Sequence, residues 1–424
     1  MKLGRWKVLG LAGVLALGYV AQTEAAQIKV DEDTFANFGL NMKVWYYNYD
    51  KRSNASGRIA STLKQDYGDW RQNKFDVGNA KIYFAGQINK LVQFYGEFDQ
   101  EKSGDQLGEA GVNFAFAKEF QVLAGKIRKS FTRADLTSGY AQLIPTPYFY
   151  NPQSKVLGSP DLDEDLINLF TYDGNTDYGL MVHGDLAGGM FTYRIGVYNN
   201  DKRLEKNKGF EWNARVEFQP LMLGFKPESA ATITTKIGDT YLGQKDILTI
   251  GLGYMSAKKA MPIGGIKKDK TVDGWTADLT FEKKFGNLVP NFQIGYVSLS
   301  DTHVDPVSDK TKDSDAWYVQ GQLLFDQVVG FGKPAIAVRY DTTTNDKRVY
   351  DVDADKARDA KLDRWGVALN YYIKGQNARV SLGFDHVKYK DGAKYILKTY
   401  LPEDKGIKYK DSLTDWYLYL QTQF

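Results

Sequence analysis

Apolar and polar residues alternate with a period of two in repeated segments along the chain. In residues 38–46, Phe38, Leu40 and Met42 occupy one face, and Asn41 and Lys43 occupy the other. A period of two predicts β-strands with one apolar and one polar face. In a membrane barrel the apolar face contacts lipid, whereas in a soluble sandwich it would contact a second sheet.

The alternation predicts sixteen strands. They begin near Thr34, Lys74, Leu91, Glu109, Phe120, Asp177, Met190, Glu211, Asp246, Val272, Val289, Asp315, Lys333, Lys361, Asn377 and Leu413. An even count is typical of bacterial barrels, which place both termini on the periplasmic side.

The connections between these strands alternate in length. Tight turns are predicted at 89–90, 118–119, 187–189 and 374–376, and long polar loops at 50–73, 199–210, 301–314, 343–360 and 391–412. Short periplasmic turns opposite long external loops indicate a sixteen-stranded antiparallel transmembrane β-barrel, an all-β fold. Residues 220–244 fit poorly, and we interpret them as an elongated periplasmic connection or an early strand start.

The first residues resemble a secretory signal. Lys2, Arg5 and Lys7 flank an apolar run of 13 residues, which ends before a small-residue cleavage site near Ala25 or Ala26. The run is too short to span a bilayer as a helix. We predict a signal peptide over 1–25, a single barrel domain over 26–424 and a location in the bacterial outer membrane. Because the first strand follows so soon, no plug domain is expected at the N-terminus, and sixteen strands leave an aqueous lumen.

Composition agrees with this prediction and excludes several kinds of chemistry. Aromatic residues make up 14% of the chain, glycine occurs 41 times and cysteine is absent. Without cysteine, thiolate catalysis, iron–sulfur clusters and cysteine-based zinc sites are excluded, and no cofactor is expected. The net charge is +3, or +1 once residues 1–25 are removed, so charge gives no reason to expect a nucleic-acid partner.

The longest predicted loop spans residues 129–165 and is rich in aromatic residues and proline. Loops of this length are often functional. We predict that it folds into the barrel and narrows the pore; an external cap or a trimer contact is the alternative. If it folds inward, the constriction would carry Lys129, Arg133, Asp135, Asp161, Asp163, Glu164 and Asp165.

Alternation also predicts which charges of the wall face the lumen. The inward basic residues are Lys43, Lys81, Lys126, Arg128, Arg194, Arg215, Arg339, Arg364 and Arg379. The inward acidic residues are Glu97, Asp99, Glu217, Asp278, Glu282 and Asp385. Nine basic residues against six acidic ones predict a mildly anion-preferring pore, although each charge alone is more readily explained as an ion-pair partner within the wall.

Several segments resemble the phosphate-selective porin O and P family. Residues 125–131 (GKIRKSF) followed by Leu136-Thr137-Ser138 resemble its strand-to-loop signature. Residues 193–200 followed by 212–216 resemble its next pair of strands, and 241–243 before 248–254 resemble its middle. The resemblance implies a homotrimeric sixteen-stranded barrel with an inward third external loop. It also implies phosphate selectivity from inward arginines and a lysine cluster, to which Lys126, Arg128, Lys129 and Arg133 would contribute. The sequence departs from the pattern after Ser138, at residues 143–147 (LIPTP).

Other functions remain as alternatives. A sugar-specific channel would use aromatic residues in the lumen, for which the candidates are Trp45, Tyr83, Tyr95, Tyr148, Phe149 and Tyr150. An outer-membrane enzyme would need a catalytic histidine, and only His183, His303 and His386 exist. His303 lies beside Asp301 and Asp305, and a second acidic group comprises Asp351, Asp353, Asp355 and Asp359. We interpret both groups as solvated loops, without a metal.

The chain ends on an amphipathic strand whose last residue is Phe424. A terminal aromatic residue resembles the signal read by the outer-membrane assembly machinery. The sequence therefore predicts a porin for passive diffusion of small hydrophilic solutes, with phosphate as a candidate anion and a sugar-specific or non-selective pore as the alternative. The expected partners are membrane lipid, lipopolysaccharide, the assembly machinery, two further copies of the chain and small anions.

Overall fold

The computed structural model describes residues 26–48, 73–99, 106–145, 169–170, 175–200, 209–351, 354–393, 398–400, 407–409 and 411–424. The predicted signal peptide and the acidic run Asp161, Asp163, Glu164 and Asp165 lie outside these residues, as do Tyr148, Phe149 and Tyr150.

Sixteen antiparallel strands form one closed barrel. The first eight are β1 (Phe35–Asn48), β2 (Asn73–Gln87), β3 (Val92–Asp99), β4 (Leu107–Ala115), β5 (Gln121–Arg128), β6 (Thr176–Leu186), β7 (Phe191–Tyr198) and β8 (Glu211–Phe218). The second eight are β9 (Ile247–Ile263), β10 (Ile266–Glu282), β11 (Leu288–Val304), β12 (Thr311–Phe325), β13 (Lys333–Asp351), β14 (Lys356–Tyr372), β15 (Ala378–Asp391) and β16 (Ser412–Gln423).

Each strand pairs with the next one in the chain, and β16 pairs with β1 to close the barrel. The closing register runs from Trp416 opposite Asn48 to Gln423 opposite Asn41. A short strand, Ala26–Lys29, pairs with the first residues of β1. The predicted sixteen-stranded antiparallel barrel is confirmed. Closure leaves no open sheet edge, which is a requirement for a sheet in a bilayer.

The outer face of the barrel is apolar and carries aromatic residues at two levels. Near the long-loop end, exposed Trp275 lies 5.0 Å from the Tyr296 ring, and the Tyr340 ring lies 4.5 Å from exposed Trp365. Near the short-turn end, the rings of Phe331 and Tyr371 lie 5.1 Å apart. Two aromatic girdles that bound an apolar band are typical of barrels in the outer membrane.

The strands differ greatly in length. β9 to β14 have 15 to 19 residues, whereas β3, β4, β5, β7 and β8 have eight or nine. β10, β12 and β14 begin four to six residues before their expected starts at Val272, Asp315 and Lys361. Two predicted loops are therefore wrong in extent, because most of 343–360 and about half of 301–314 belong to strands. The extensions contain polar residues on both faces, so they lack the alternation that marks a strand within lipid.

Helix is almost absent from the described residues. One α-helical turn, α1 (Arg133–Leu136), lies in the connection after β5, and 3₁₀ turns occupy Ala187–Gly189 and Leu221–Leu223. None of the helices in the described part of the chain has the length and apolar character needed to cross a membrane.

Candidate functional site

The inner face of the barrel carries most of the charges that alternation assigned to it. Lys43, Lys81, Arg194, Arg215, Arg339, Arg364 and Arg379 lie there, and all are buried except half-buried Lys81. Arg128, at the end of β5, also reaches the interior, where it donates to Asp135 O (2.7 Å) and Thr137 O (3.0 Å). The predicted acids Glu97, Asp99, Glu217, Asp278, Glu282 and Asp385 are buried on the same face.

Lys126 is the exception, and its inward assignment is wrong. It is paired in register with Tyr178, which is exposed on the outer face, and its Nζ lies 5.7 Å from that ring. The inner positions of β5 are instead Leu123 and Ile127, both buried in an apolar cluster against which Ile233 packs. The inner face of β5 is apolar because another part of the chain covers it.

Most of the inner arginines are held in ion pairs. Arg215 makes a two-pronged pair with Asp278 (2.7 and 2.8 Å) and also contacts Glu217 (2.9 Å). Glu217 in turn accepts a hydrogen bond from Arg194 (2.8 Å). These side chains are buried, so their charges largely cancel within the wall.

Three inner carboxylates were missed by the sequence analysis. Glu109 pairs with Arg128 (2.9 Å), Glu211 with Lys129 (2.7 Å) and Asp341 with Arg364 (2.8 Å). With these acids on the inner face and Lys126 on the outer face, the expected basic surplus of nine to six disappears. Asp341 lies two residues after Arg339 on β13, so alternation places both side chains on the same face of the strand. This spacing could have identified Asp341 as an inner residue from the sequence.

The described part of the long connection after β5 lies inside the barrel. We call residues 129–145 the loop segment. Lys43 Nζ donates to Gly139 O (2.7 Å), Gln421 Nε2 to Tyr140 O (2.9 Å) and Asn370 Nδ2 to Leu143 O (2.8 Å). Since these donors belong to β1, β16 and β14, the segment crosses the barrel from the wall formed by β5 and β6.

An apolar cluster packs the start of the loop segment against the tall strands. Phe131 is buried with Met255, Val297 and Tyr318 on the inner faces of β9, β11 and β12. α1 begins with a capping box, in which the Asp135 backbone N–H donates to Thr132 Oγ1 (3.1 Å) and the Thr132 backbone N–H donates to the Asp135 carboxylate (3.0 Å). This side of the interior is therefore filled by protein.

A second segment enters the barrel from the short-turn end. Residues 219–246 join β8 to β9, and we call them the re-entrant segment. Asp239 O accepts hydrogen bonds from Asn291 (2.8 Å) and Gln293 (2.6 Å), which are inner residues of β11. An early strand start in 220–244 is wrong, since β9 begins at Ile247. The connection is long because it folds into the lumen.

The two segments meet inside the barrel. Thr137 and Ile237 form a parallel bridge, in which Ser138 N donates to Ile237 O (2.8 Å) and Ile237 N donates to Leu136 O (3.1 Å). Arg133 donates both terminal nitrogens to the Glu228 carboxylate (3.0 and 2.9 Å). Both side chains are buried.

A cavity of about 760 Å³ remains between the two segments and the wall formed by β1 to β3. We call it the side cavity. It extends from Phe424 and Asn377 at the short-turn end to Ser138 of the loop segment. Its charged lining residues are Lys43, Lys81, Arg128, Lys236 and Glu97.

Glu97 contacts two of the cations that line the side cavity. Its carboxylate accepts from Lys81 (2.7 Å) on the neighbouring strand and from Lys236 (3.0 Å) on the re-entrant segment. Lys43 lies 4.5 Å from the Tyr140 ring centroid. Among the described residues, four cationic side chains and the Glu97 carboxylate line this space, and Glu109 contacts two of those cations, Arg128 and Lys236. Lys236 was missed by the sequence analysis because it lies in an irregular connection, where alternation says nothing about facing.

The aromatic candidates for a sugar channel are partly used in packing. Trp45 is buried and stacks on Tyr47 (5.0 Å), with Tyr419 at 4.3 Å. Tyr83 and Tyr95 line the side cavity, and Tyr83 donates its hydroxyl to Phe424 O (2.7 Å).

The candidate enzyme and metal residues have structural partners. His303 is buried at the end of β11, not solvated as expected, and its Nε2 lies 2.6 Å from Asp346 O. His183 Nδ1 lies 2.8 Å from Ala230 O. Asp351 is paired with Arg358. Within the described residues, no group of three or more potential ligand side chains is placed to hold a metal ion.

Comparison with protein families agrees with the resemblance seen in the sequence. Residues 54–245 match the model of a family described as phosphate-selective porin O and P, which confirms the resemblance over that span. A relative from Aquifex aeolicus (strain VF5), described only as an uncharacterized protein, is 25% identical over 355 residues. The match covers 79% of this chain and 77% of the relative.

Solved structures share the fold at low sequence identity. An anion-selective porin from Comamonas acidovorans matches with a TM-score of 0.50 and 11% identity, over 92% of this chain and 100% of that chain. The outer-membrane channel DcaP of Acinetobacter baumannii matches with a TM-score of 0.50 and 10% identity, over 93% and 99%. The family match and the barrel fold together indicate an outer-membrane, porin-like channel rather than an enzyme.

Proposed function

We propose that the chain is a porin that conducts small hydrophilic anions by passive diffusion through the side cavity. The observation that carries this proposal is the lining of that cavity, where four cationic side chains face one carboxylate. Cationic linings favour anions because their positive charges attract anions and repel cations. Lysine ammonium groups bind phosphate as point charges, and the matching family supports inorganic phosphate as the first solute to test.

The local charge of the side cavity decides selectivity in this proposal, because several arginines elsewhere on the inner face are held in ion pairs. Arg194, Arg215 and Arg364 lie outside the cavity lining, and each is paired with a buried carboxylate. Buried, hydrogen-bonded pairs present little net charge to a passing ion. Residues 1–25 would direct export and then be removed.

Assembly belongs to the same proposal. The family resemblance supports a homotrimer, and the apolar outer face with its two girdles suits contact with lipid and lipopolysaccharide. Phe424 would be read by the assembly machinery before the barrel closes.

Planar-bilayer recording tests the function directly. In a potassium chloride gradient we expect discrete conductance steps and a reversal potential of the sign that chloride permeation gives, with inhibition by added phosphate. Lys43→Gln combined with Lys81→Gln should lower the anion-to-cation permeability ratio about twofold or more, since two cations of the lining are lost.

The matched control is Lys90→Gln, which removes an exposed lysine in the turn between β2 and β3. It should leave the ratio unchanged. Absence of any conductance would refute the porin, whereas cation selectivity in the wild-type channel would refute the anion preference alone.

A further inference from the structure

We infer that the re-entrant segment is a permanent second half of the constriction and that its Lys236 is a specificity-determining residue. This inference rests on the proposed function, because it assumes that ions pass through the side cavity. Neither the length of residues 219–246 nor any motif within them pointed to such a role.

The first part of the re-entrant segment is anchored to β6. The Asp185 carboxylate accepts hydrogen bonds from Ala230 N (2.7 Å), Ala231 N (3.2 Å) and the Ser229 hydroxyl. His183, two residues earlier on the same inner face, holds Ala230 O through Nδ1 (2.8 Å). These bonds satisfy the backbone of a stretch that has no secondary structure of its own.

The last part is anchored to β10. The Glu282 carboxylate accepts from Thr240 Oγ1 (2.6 Å), Gly243 N (2.9 Å) and Asn291 Nδ2 (2.8 Å). With β11 bonded to Asp239 O, three strands of the wall hold the segment in place.

The junction with the loop segment makes withdrawal costly. Glu228 accepts from Arg133 and also from Tyr241 Oη (2.6 Å) and Thr249 Oγ1 (2.6 Å). Separating the two segments would break the Arg133–Glu228 pair in a buried setting, and an uncompensated buried charge is strongly destabilising. A plug that leaves during transport would need a weaker, more hydrated contact than this one.

Lys236 is the charge that the segment presents to the passage. Its side chain is partly exposed to the side cavity, and Nζ lies 3.0 Å from Glu97 and 3.2 Å from Glu109. It therefore joins Lys81 of the wall at the Glu97 carboxylate. An anion that enters the side cavity would meet a cation from the wall and a cation from the segment.

The charge is tested by substitution at Lys236 in the full-length channel. Lys236→Glu should lower the anion-to-cation permeability ratio about fivefold or more, and Lys236→Gln should lower it less. The matched control is Lys226→Glu, which reverses an exposed lysine of the same segment that does not line the cavity. Equal selectivity of Lys236→Glu and wild type would overturn the role of Lys236.

The permanence of the constriction is tested by a cross-link. A Cβ added at Gly238 would lie 3.3 Å from the Ala141 Cβ, close to the separation in a disulfide. Ala141→Cys with Gly238→Cys should form that disulfide unambiguously, because the natural chain has no cysteine. We expect the oxidised and reduced channels to conduct equally.

Two results would overturn this part of the inference. One is failure of the pair to cross-link although each single variant folds and conducts, since the segments would then not be adjacent. The other is a conductance that disappears on oxidation and returns on reduction, since the segment would then be a moving plug. A wild-type chain that never conducts would instead refute the proposed function.

Discussion

At the scale of single residues, the interior separates charges that stabilise the barrel from charges that face the passage. Arg215 is surrounded by Asp278 and Glu217 and does not line the side cavity. Lys81 and Lys236 share Glu97 but are partly exposed there. Arginine suits the first role because its planar group bonds carboxylates in two-pronged geometry, whereas lysine suits the second as a mobile point charge.

Substitution of Arg215 should therefore affect stability and not selectivity. Arg215→Met leaves Asp278 buried without its cation and leaves Glu217 with Arg194 alone, which should lower the free energy of unfolding by about 3–5 kcal/mol. Urea unfolding of the detergent-folded barrel measures this loss, and the bilayer permeability ratio should stay at the wild-type value. A changed ratio with unchanged stability would show that Arg215 faces the ion path after all.

At the scale of elements, the loop segment combines a capped helical turn with a buried acid. Burial raises the pKa of Asp135 to about 7, although hydrogen bonds from Thr132 act in the opposite direction. Asp135 Oδ1 has no hydrogen-bond partner among the described residues, so no donor compensates a negative charge on that oxygen. The neutral acid is thus the form that this site stabilises.

This predicts a pH dependence of stability that belongs to Asp135. Because the pKa is higher in the folded state, the stabilisation is complete below the unfolded value near 4 and is lost as pH rises through about 7. Asn mimics the neutral acid, so the melting temperature of Asp135→Asn should exceed that of wild type by an amount that grows from pH 4 to pH 8. A difference that is constant with pH would contradict the assignment.

At the scale of the whole molecule, the chain terminus completes the barrel. Phe424 exchanges two backbone hydrogen bonds with Leu40, each 3.1 Å long, and its carbonyl also accepts from Tyr83 Oη (2.7 Å). These bonds extend the β16–β1 seam to the short-turn end. The backbone of Phe424 thus extends the seam, and its ring makes none of these hydrogen bonds.

Substitution of the Phe424 ring should separate assembly from stability. Phe424→Ala keeps the seam's backbone bonds, so unfolding in detergent should match wild type within about 0.5 kcal/mol. In cells, less of the variant should reach the outer membrane in folded, heat-modifiable form, and Phe424→Trp should restore most of the yield. Equal yields of Phe424→Ala and wild type in the outer membrane would rule out a role in recognition.

The sequence by itself determined the barrel, because strand alternation and turn spacing are local properties. Phe38, Leu40 and Met42 mark the lipid face within a few residues of one another, and the strand count follows from repeating that pattern. The same alternation of side chains assigned most of the charged wall residues to the inner face, where they lie. It failed at Lys126, on the strand whose inner residues Leu123 and Ile127 lie in an apolar cluster against which Ile233 packs.

Only the tertiary structure decided what fills the barrel and where a passage remains. Arg133 meets Glu228 across 95 positions of sequence, and Lys236 meets Glu97 across 139. Irregular segments have no period that predicts which way a side chain points, and their partners lie on distant strands. The physical reason is that an irregular backbone inside a barrel is held by long-range hydrogen bonds and buried ion pairs, which leave no local pattern in the sequence.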